Sequence, residues 1–173
     1  MFTGIVRDIG RVTAVTNIDS GLHLRVETAL PISALEIGAS VSCGGACMTV
    51  VGSGHGDARS QWFEFDASSE TLDCTTISNW APGTKINLEP SLKLGDEMGG
   101  HVVTGHVDAT AQLTKLEKEG DMQRMSFALP AHLSKFVAAK GSVALDGTSL
   151  TVNSVEADEM SLMLIPHTLQ VTT

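Results

Sequence analysis

The side chains of this 173-residue chain that could do chemistry are hydroxyls, thiols and imidazoles set at strand spacing. Ser149 and Thr151 lie two apart in a run of β-formers, Ser149-Leu150-Thr151-Val152. On a strand that spacing turns both hydroxyls to one face, with Cα atoms roughly 7 Å apart, and both aliphatic chains to the other. An ordinary half-exposed strand shows the same alternation. Cys47 and Thr49 repeat it in the first half. His101 and His106 flank one short segment, and imidazoles can move protons near neutrality or serve the fold alone. Asp146 reads as half of an Asp-Gly turn with Gly147. Lys140, just before Gly141, reads as a solvated charge at a helix end. Cys43 and Cys47, on an extended strand, would hold their Cα atoms about 13 Å apart, beyond the roughly 7 Å limit of a disulfide. No histidine neighbours them at zinc spacing, so no metal is expected there. Cys47 is either a thiol beside a ligand or a buried, inert cysteine.

The composition narrows the partners. Eleven basic against 20 acidic residues leave a formal charge of −9, a field of the wrong sign for nonspecific nucleic-acid binding. An apolar content of 42% is enough for a packed core. No apolar run approaches the roughly 18 residues of a membrane span, and Met1-Phe2-Thr3-Gly4-Ile5-Val6 is no secretory signal. Three cysteines make no disulfide scaffold, and the expected compartment is the reducing cytoplasm.

The elements that must position these groups are strands. Helical periodicity is almost absent, and β-rich runs such as Val102-Val103-Thr104 and Trp62-Phe63-Glu64-Phe65 alternate with glycine-containing turns, an all-β pattern. Trp62, Phe63 and Phe65 read together as core packing. The spacing of prolines and glycines predicts one short helix per half, over Ile32–Ile37 after Pro31 and Ala131–Ala139 after Pro130. Setting residue n against n+101 pairs Thr3-Gly4 with Thr104-Gly105, Val6 with Val107 and Thr13 with Thr114. One inserted residue later, Ser40-Val41 meets Ser142-Val143, and Thr49-Val50 meets Thr151-Val152. A five-residue deletion then brings Thr71-Leu72 onto Thr168-Leu169. The matches are collinear and include the turn glycines, so the chain is a tandem duplication, divided as 1–97 and 98–173. Thr84-Lys85-Ile86-Asn87-Leu88 reads as a last strand of the first copy, and nothing in this sequence matches it in the second. The second copy is expected to lack that strand, through a missing tail.

On this duplicated frame five segments resemble the riboflavin synthase family of the α-subunit type. They are Met1-Phe2-Thr3-Gly4-Ile5-Val6; Gly99-Gly100-His101 running to Thr104-Gly105-His106-Val107; Asp146-Gly147-Thr148-Ser149-Leu150-Thr151-Val152; Ser69-Glu70-Thr71-Leu72; and Ile165-Pro166-His167-Thr168-Leu169. The resemblance implies two tandem six-stranded Greek-key barrels in a homotrimer held by a C-terminal helix. It implies that two molecules of 6,7-dimethyl-8-ribityllumazine exchange a four-carbon unit, giving riboflavin and a ribitylamino-pyrimidinedione, with no metal or redox cofactor. Association with lumazine synthase is a further implied partner.

The resemblance also sorts the residues. Ser149, Thr151 and Asp146 belong to one lumazine pocket, Ser40, Cys47 and Thr49 to the other. Cys47, His106, Ser149, Thr151 and Asp146 are the expected catalytic groups. Phe2 gains a stacking role on a flat heterocycle, and Thr3, Gly4, His101, Lys140, Ile165 and Thr168 join it as substrate-binding residues. The family often has a second cysteine where this chain has Ala46, which weakens any mechanism needing two thiols. The working site is expected to pair the N-terminal barrel of one subunit with the C-terminal barrel of the next. A non-catalytic flavin- or lumazine-binding paralogue, similar to the antenna proteins of luminous bacteria, is the alternative; it would keep one competent pocket. A flavin-reductase-like module lacks support, because no nucleotide-binding glycine fingerprint follows a βα unit.

Overall fold

A computed structural model describes residues 1–57 and 60–173. Its strands fall into two antiparallel sheets, one from each copy. The first contains β1 (Asp8–Ile18), β2 (Gly21–Thr28), β3 (Ser40–Cys43), β4 (Ala46–Thr49), β5 (Gly52–His55), β6 (Gln61–Ser68) and β7 (Lys85–Pro90), in the order β4-β3-β7-β1-β2-β6-β5. β4 and β5 are one run bent at Val50-Val51, so the two ends of the sheet meet and a six-stranded barrel closes. Leu24, Val26, Phe63, Phe65, Ile86 and Leu88 fill it. Trp62 departs from the expected aromatic core. The period of two turns it outward, where the Arg25 guanidinium lies 4.2 Å from its ring centroid.

The second sheet contains β8 (Gln112–Glu119), β9 (Met122–Ala128), β10 (Ser142–Leu145), β11 (Thr148–Glu156) and β12 (Glu159–Leu164), in the order β10-β11-β12-β9-β8. In the first copy β7 bridges β1 and β3. No described residue does so between β8 and β10, as the repeat predicts, and this barrel stays open on that side. β8 consequently starts late. Asp8–Arg11 are extended against β7, whereas Ala109, Thr110 and Ala111, the mates of Asp8, Ile9 and Gly10, have no strand partner among the described residues, and Gln112, the mate of Arg11, opens β8. The second core is correspondingly small: Leu129, Val152, Met160 and Leu162.

Register repeats the duplication. Ser40 faces Thr49 across β3 and β4, and Ser142 faces Thr151 across β10 and β11. A bulge falls at Thr13 in β1 and at Thr114 in β8, and each hydroxyl donates to a carbonyl of the neighbouring strand, Arg25 O at 3.3 Å and Ser126 O at 3.1 Å.

The predicted helices are corrected. After Pro31 and Pro130 the chain makes only single 3₁₀ turns, Ile32–Ala34 and Ser134–Phe136. The α-helices are α1 (Ser69–Cys74) and α2 (Pro166–Val171), again one per copy. Ser68 caps α1, its Oγ accepting the Thr71 N–H at 3.3 Å, a capping signal that outweighed proline as a helix start.

Candidate functional site

The leading segments of the two copies are exchanged. Cys47 N–H donates to Gly105 O at 2.8 Å, and Ser149 N–H donates to Gly4 O at 2.7 Å. Each copy's hydroxyl or thiol strand is therefore covered by the start of the other copy. Glycine is required at both crossings. Gly4 and Gly105 have φ of +74° and +82°, and a Cβ on them would stand 2.7 Å from Ser149 Cβ and 2.6 Å from Cys47 Cβ.

In the first copy a groove of about 230 Å³ lies beside this crossing, with Cys47, Glu70, Thr71, Cys74, Gly105 and His106 in its walls. Sequence reasoning missed Glu70 and Cys74; the signal was the Ser68 cap that starts α1 at this point in the chain. Cys43 is not in this groove. The hairpin folds at Gly44-Gly45, so the extended-strand distance does not separate the two thiols. Opposite faces do, with Cys43 in the core and Cys47 at the groove. Burial first, and then the neighbouring Cys47, push the Cys43 thiol well above its ordinary value of 9.0.

In the second copy the equivalent positions are Ser149 for Cys47, Gly4 for Gly105 and Thr168 for Thr71. The structure adds what no spacing showed: His101 Nδ1 and Ser149 Oγ stand 2.7 Å apart. A serine hydroxyl bonded to imidazole can pass its proton to the ring or be held by it.

A larger cleft of about 490 Å³ runs between the copies. Much of its wall is apolar barrel interior laid open beside β10, including Phe127, Val143 and Met160, so its size reflects the open barrel more than the chemistry. His101, His106 and Asp146 give it polar corners. Asp146 sits at φ 44° in the turn between β10 and β11, where its repeat mate is Gly44. Asp146 is itself exposed, and the protein packed around its carboxyl at the edge of the cleft displaces enough water to raise its pKa above the ordinary 3.8.

The remaining expected residues are spread out. Thr49 and Thr151 are exposed, Ser40 is half-buried, and none of the three lines either cavity. Lys140 is exposed at φ 67°, in the place that Gly38 takes in the first copy, and its N–H donates to Val152 O at 2.7 Å. Ile165 precedes α2 and is exposed, and Thr168 within α2 is half-buried. Phe2, expected to stack on a flat ligand, is 1% exposed and paired with Val103. Thr3 is buried beside it.

A duplicated β-barrel whose copies exchange their leading segments over two like hydrogen-bonding strands belongs to the class of tandem-barrel binders of flat, polar small molecules. The model of the lumazine binding domain matches residues 3–91 and 104–173. Over 173 residues the chain is 53% identical to riboflavin synthase of Brucella abortus (strain 2308), covering all of this chain and 86% of that protein. It is 35% identical to riboflavin synthase of Photobacterium phosphoreum, over 100% of this chain and 78% of that one, and 31% identical to that of Bacillus subtilis (strain 168), over 99% and 78%. The chain belongs to the riboflavin synthase family of lumazine-binding proteins. Among solved structures, LumP complexed with riboflavin superposes with a TM-score of 0.79 at 23% identity, covering 100% of this chain and 91% of that one. LumP complexed with 6,7-dimethyl-8-(1'-D-ribityl) lumazine gives 0.78 at 21%, covering 99% and 90%. At these identities the likeness speaks for the fold.

Proposed function

We propose that this chain is a riboflavin synthase, a transferase that takes a four-carbon unit from one 6,7-dimethyl-8-ribityllumazine and gives it to a second. The products are riboflavin and 5-amino-6-ribitylamino-pyrimidinedione, and the substrate is both donor and acceptor. The observation that carries this is the full-length 53% identity to a riboflavin synthase. The site fits it, because a hydrogen-bonding side chain stands under the exchanged glycine in both copies, Cys47 in one and Ser149 in the other. A binding-only paralogue needs one such place; a reaction between two like molecules needs two.

Holding the two reactants in a reactive pose supplies most of the acceleration. His101, bonded to Ser149, takes and returns protons at one ring, while Cys47 and His106 line the place for the other. Asp146, Thr151, Phe2, Thr3, Gly4, Ser40, Thr49, Lys140, Ile165 and Thr168 complete the two binding places, with copy boundaries at 1–97 and 98–173. The reading extends to a cytoplasmic homotrimer in which the two places of neighbouring subunits face each other, and to association with lumazine synthase. The exposed Met1, Leu94, Met98 and Val102 around the connection between copies support an assembled state.

The deciding experiment incubates the protein with the lumazine alone and follows riboflavin absorbance. Riboflavin and the pyrimidinedione in equal amounts are expected, with two lumazines bound per chain. A folded protein that binds one lumazine per chain and makes no riboflavin over hours is a binding-only paralogue.

A further inference from the structure

Glu89 lies near the end of β7, opposite Ser42 of β3, and no spacing argument picks it out. Its side chain is 5% exposed and makes no ion pair among the described residues. A carboxylate so buried needs donors, and all three it receives come from the leading segment. Thr3 N–H and Thr3 Oγ1–H donate to Oε1 at 2.7 and 2.6 Å, and Gly4 N–H donates to Oε2 at 2.9 Å. With both oxygens engaged, the segment is fixed in rotation as well as in place.

The same two residues pass that geometry to the second site. Thr3 O accepts His101 N–H at 3.1 Å, and Gly4 O accepts Ser149 N–H at 2.7 Å. His101 and Ser149 then meet through their side chains. Glu89 thus stands one residue behind each member of the pair, on a strand clamped between β1 and β3. A chain start free of such a clamp frays, and a reacting pair needs its groups held to within about 0.5 Å. The first copy's groove has no such clamp among the described residues. Thr104, the mate of Thr3, is exposed, and its Oγ1 accepts only the local His106 N–H at 3.2 Å.

We propose that Glu89 is a positioning residue for the His101–Ser149 pair, acting through Thr3 and Gly4, so that the second-copy site is held rigid by the last strand of the first copy. The kinetic part rests on the riboflavin synthase reading; the geometric part does not. The test compares wild type with Glu89→Gln, which turns an amide donor toward one of the donors, and with Thr3→Val and Thr3→Ser. Glu159→Gln, on the outer face of β12, is the control. Two quantities are measured on the full chain: kcat and KM for the lumazine, and the imidazole resonances of His101 by NMR, assigned with His101→Gln.

Glu89→Gln and Thr3→Val are expected to lower kcat roughly 10- to 100-fold, to leave KM within about threefold, and to shift the His101 resonances. Thr3→Ser, which keeps the hydroxyl donor, should restore the His101 resonances to their wild-type positions and recover most of the kcat that Thr3→Val loses, and Glu159→Gln should match wild type. If Glu89→Gln does not fold, the Val and Ser variants at Thr3 carry the comparison. Unmoved His101 resonances in the folded variants, or a kcat loss no larger than the loss of folded protein, overturn the proposal. Should wild type make no riboflavin, the enzymatic reading fails by itself, and the resonances still decide the role of Glu89.

Discussion

Phe2 pairs with Val103 through two backbone hydrogen bonds, 2.8 and 3.0 Å, and the two residues hold the same position in their respective copies. A residue that pairs with its own repeat mate marks the local two-fold axis of the duplication. Gly45 and Gly147, also mates, approach each other on the same relation, each so close to the other's backbone N that a Cβ would stand 2.8 to 3.0 Å from it. The axis explains why each binding strand is covered by the opposite copy.

Gly105→Ala should therefore disturb both copies at once. The new Cβ would meet Cys47 Cβ at 2.6 Å and Phe2 Cε2 at 2.8 Å, at a φ of +82°. Left-handed strain and overpacking together should cost roughly 2–4 kcal/mol. A thermal melt reads this as a fall of several degrees, and an unchanged melt would show that the crossing yields easily.

Ser149→Ala should lower kcat by about 10²-fold, the low end of what acid–base assistance supplies, while the protein melts as wild type. The variant leaves the Ser149 backbone bond to Gly4 in place and removes only the 2.7 Å contact to His101. Riboflavin formation under saturating lumazine measures it, and full activity would take proton transfer away from this pair.

The three free thiols should separate by reactivity. Cys47 and Cys74 line the first groove and are partly exposed, whereas Cys43 is fully buried with its pKa raised. The thiolate is the reacting form, so a thiol reagent at pH 8 should label two cysteines in the folded protein and the third only on unfolding. Lumazine should slow labelling of Cys47. Mass spectrometry of the peptides gives the answer, and early labelling of Cys43 would contradict its place in the core.

Asp146 gives a pH-dependent prediction. Its folded pKa is raised above the ordinary 3.8, so the folded state binds more protons than the unfolded one in the window above that value. Stability is undiminished below the ordinary pKa and falls as pH rises through the folded one. Asp146→Asn removes the charge and keeps a side chain that accepts the left-handed turn. It should melt higher than wild type at neutral pH, with the gain vanishing below about pH 4. A constant gain at every pH would assign the effect to something other than the charge.

Much of this was written in local spacing. The duplication, the paired registers of Ser40 with Thr49 and Ser142 with Thr151, the turn glycines and the opening that the described residues leave between β8 and β10 all follow from periods of two and from collinear matches between the copies. Local chemistry misled where two signals competed: proline at the predicted helix starts gave single 3₁₀ turns, and the serine cap at Ser68 produced the helix. Trp62 shares its run with Phe63 and Phe65 in sequence, yet the alternation of a strand turns it to the opposite face.

The sequence by itself determined two like barrels and two like hydrogen-bonding strands, because repeated local patterns impose repeated local structure. Only the tertiary structure decided which strand each leading segment covers, that His101 meets Ser149 across 48 residues, and that Glu89 closes on Thr3 across 86. Those contacts join residues with no shared periodicity. The exchange of leading segments exists because the copies pack about a two-fold axis, which no single copy's pattern contains, whereas the His101–Ser149 and Glu89–Thr3 contacts each close within one copy, between residues far apart in sequence.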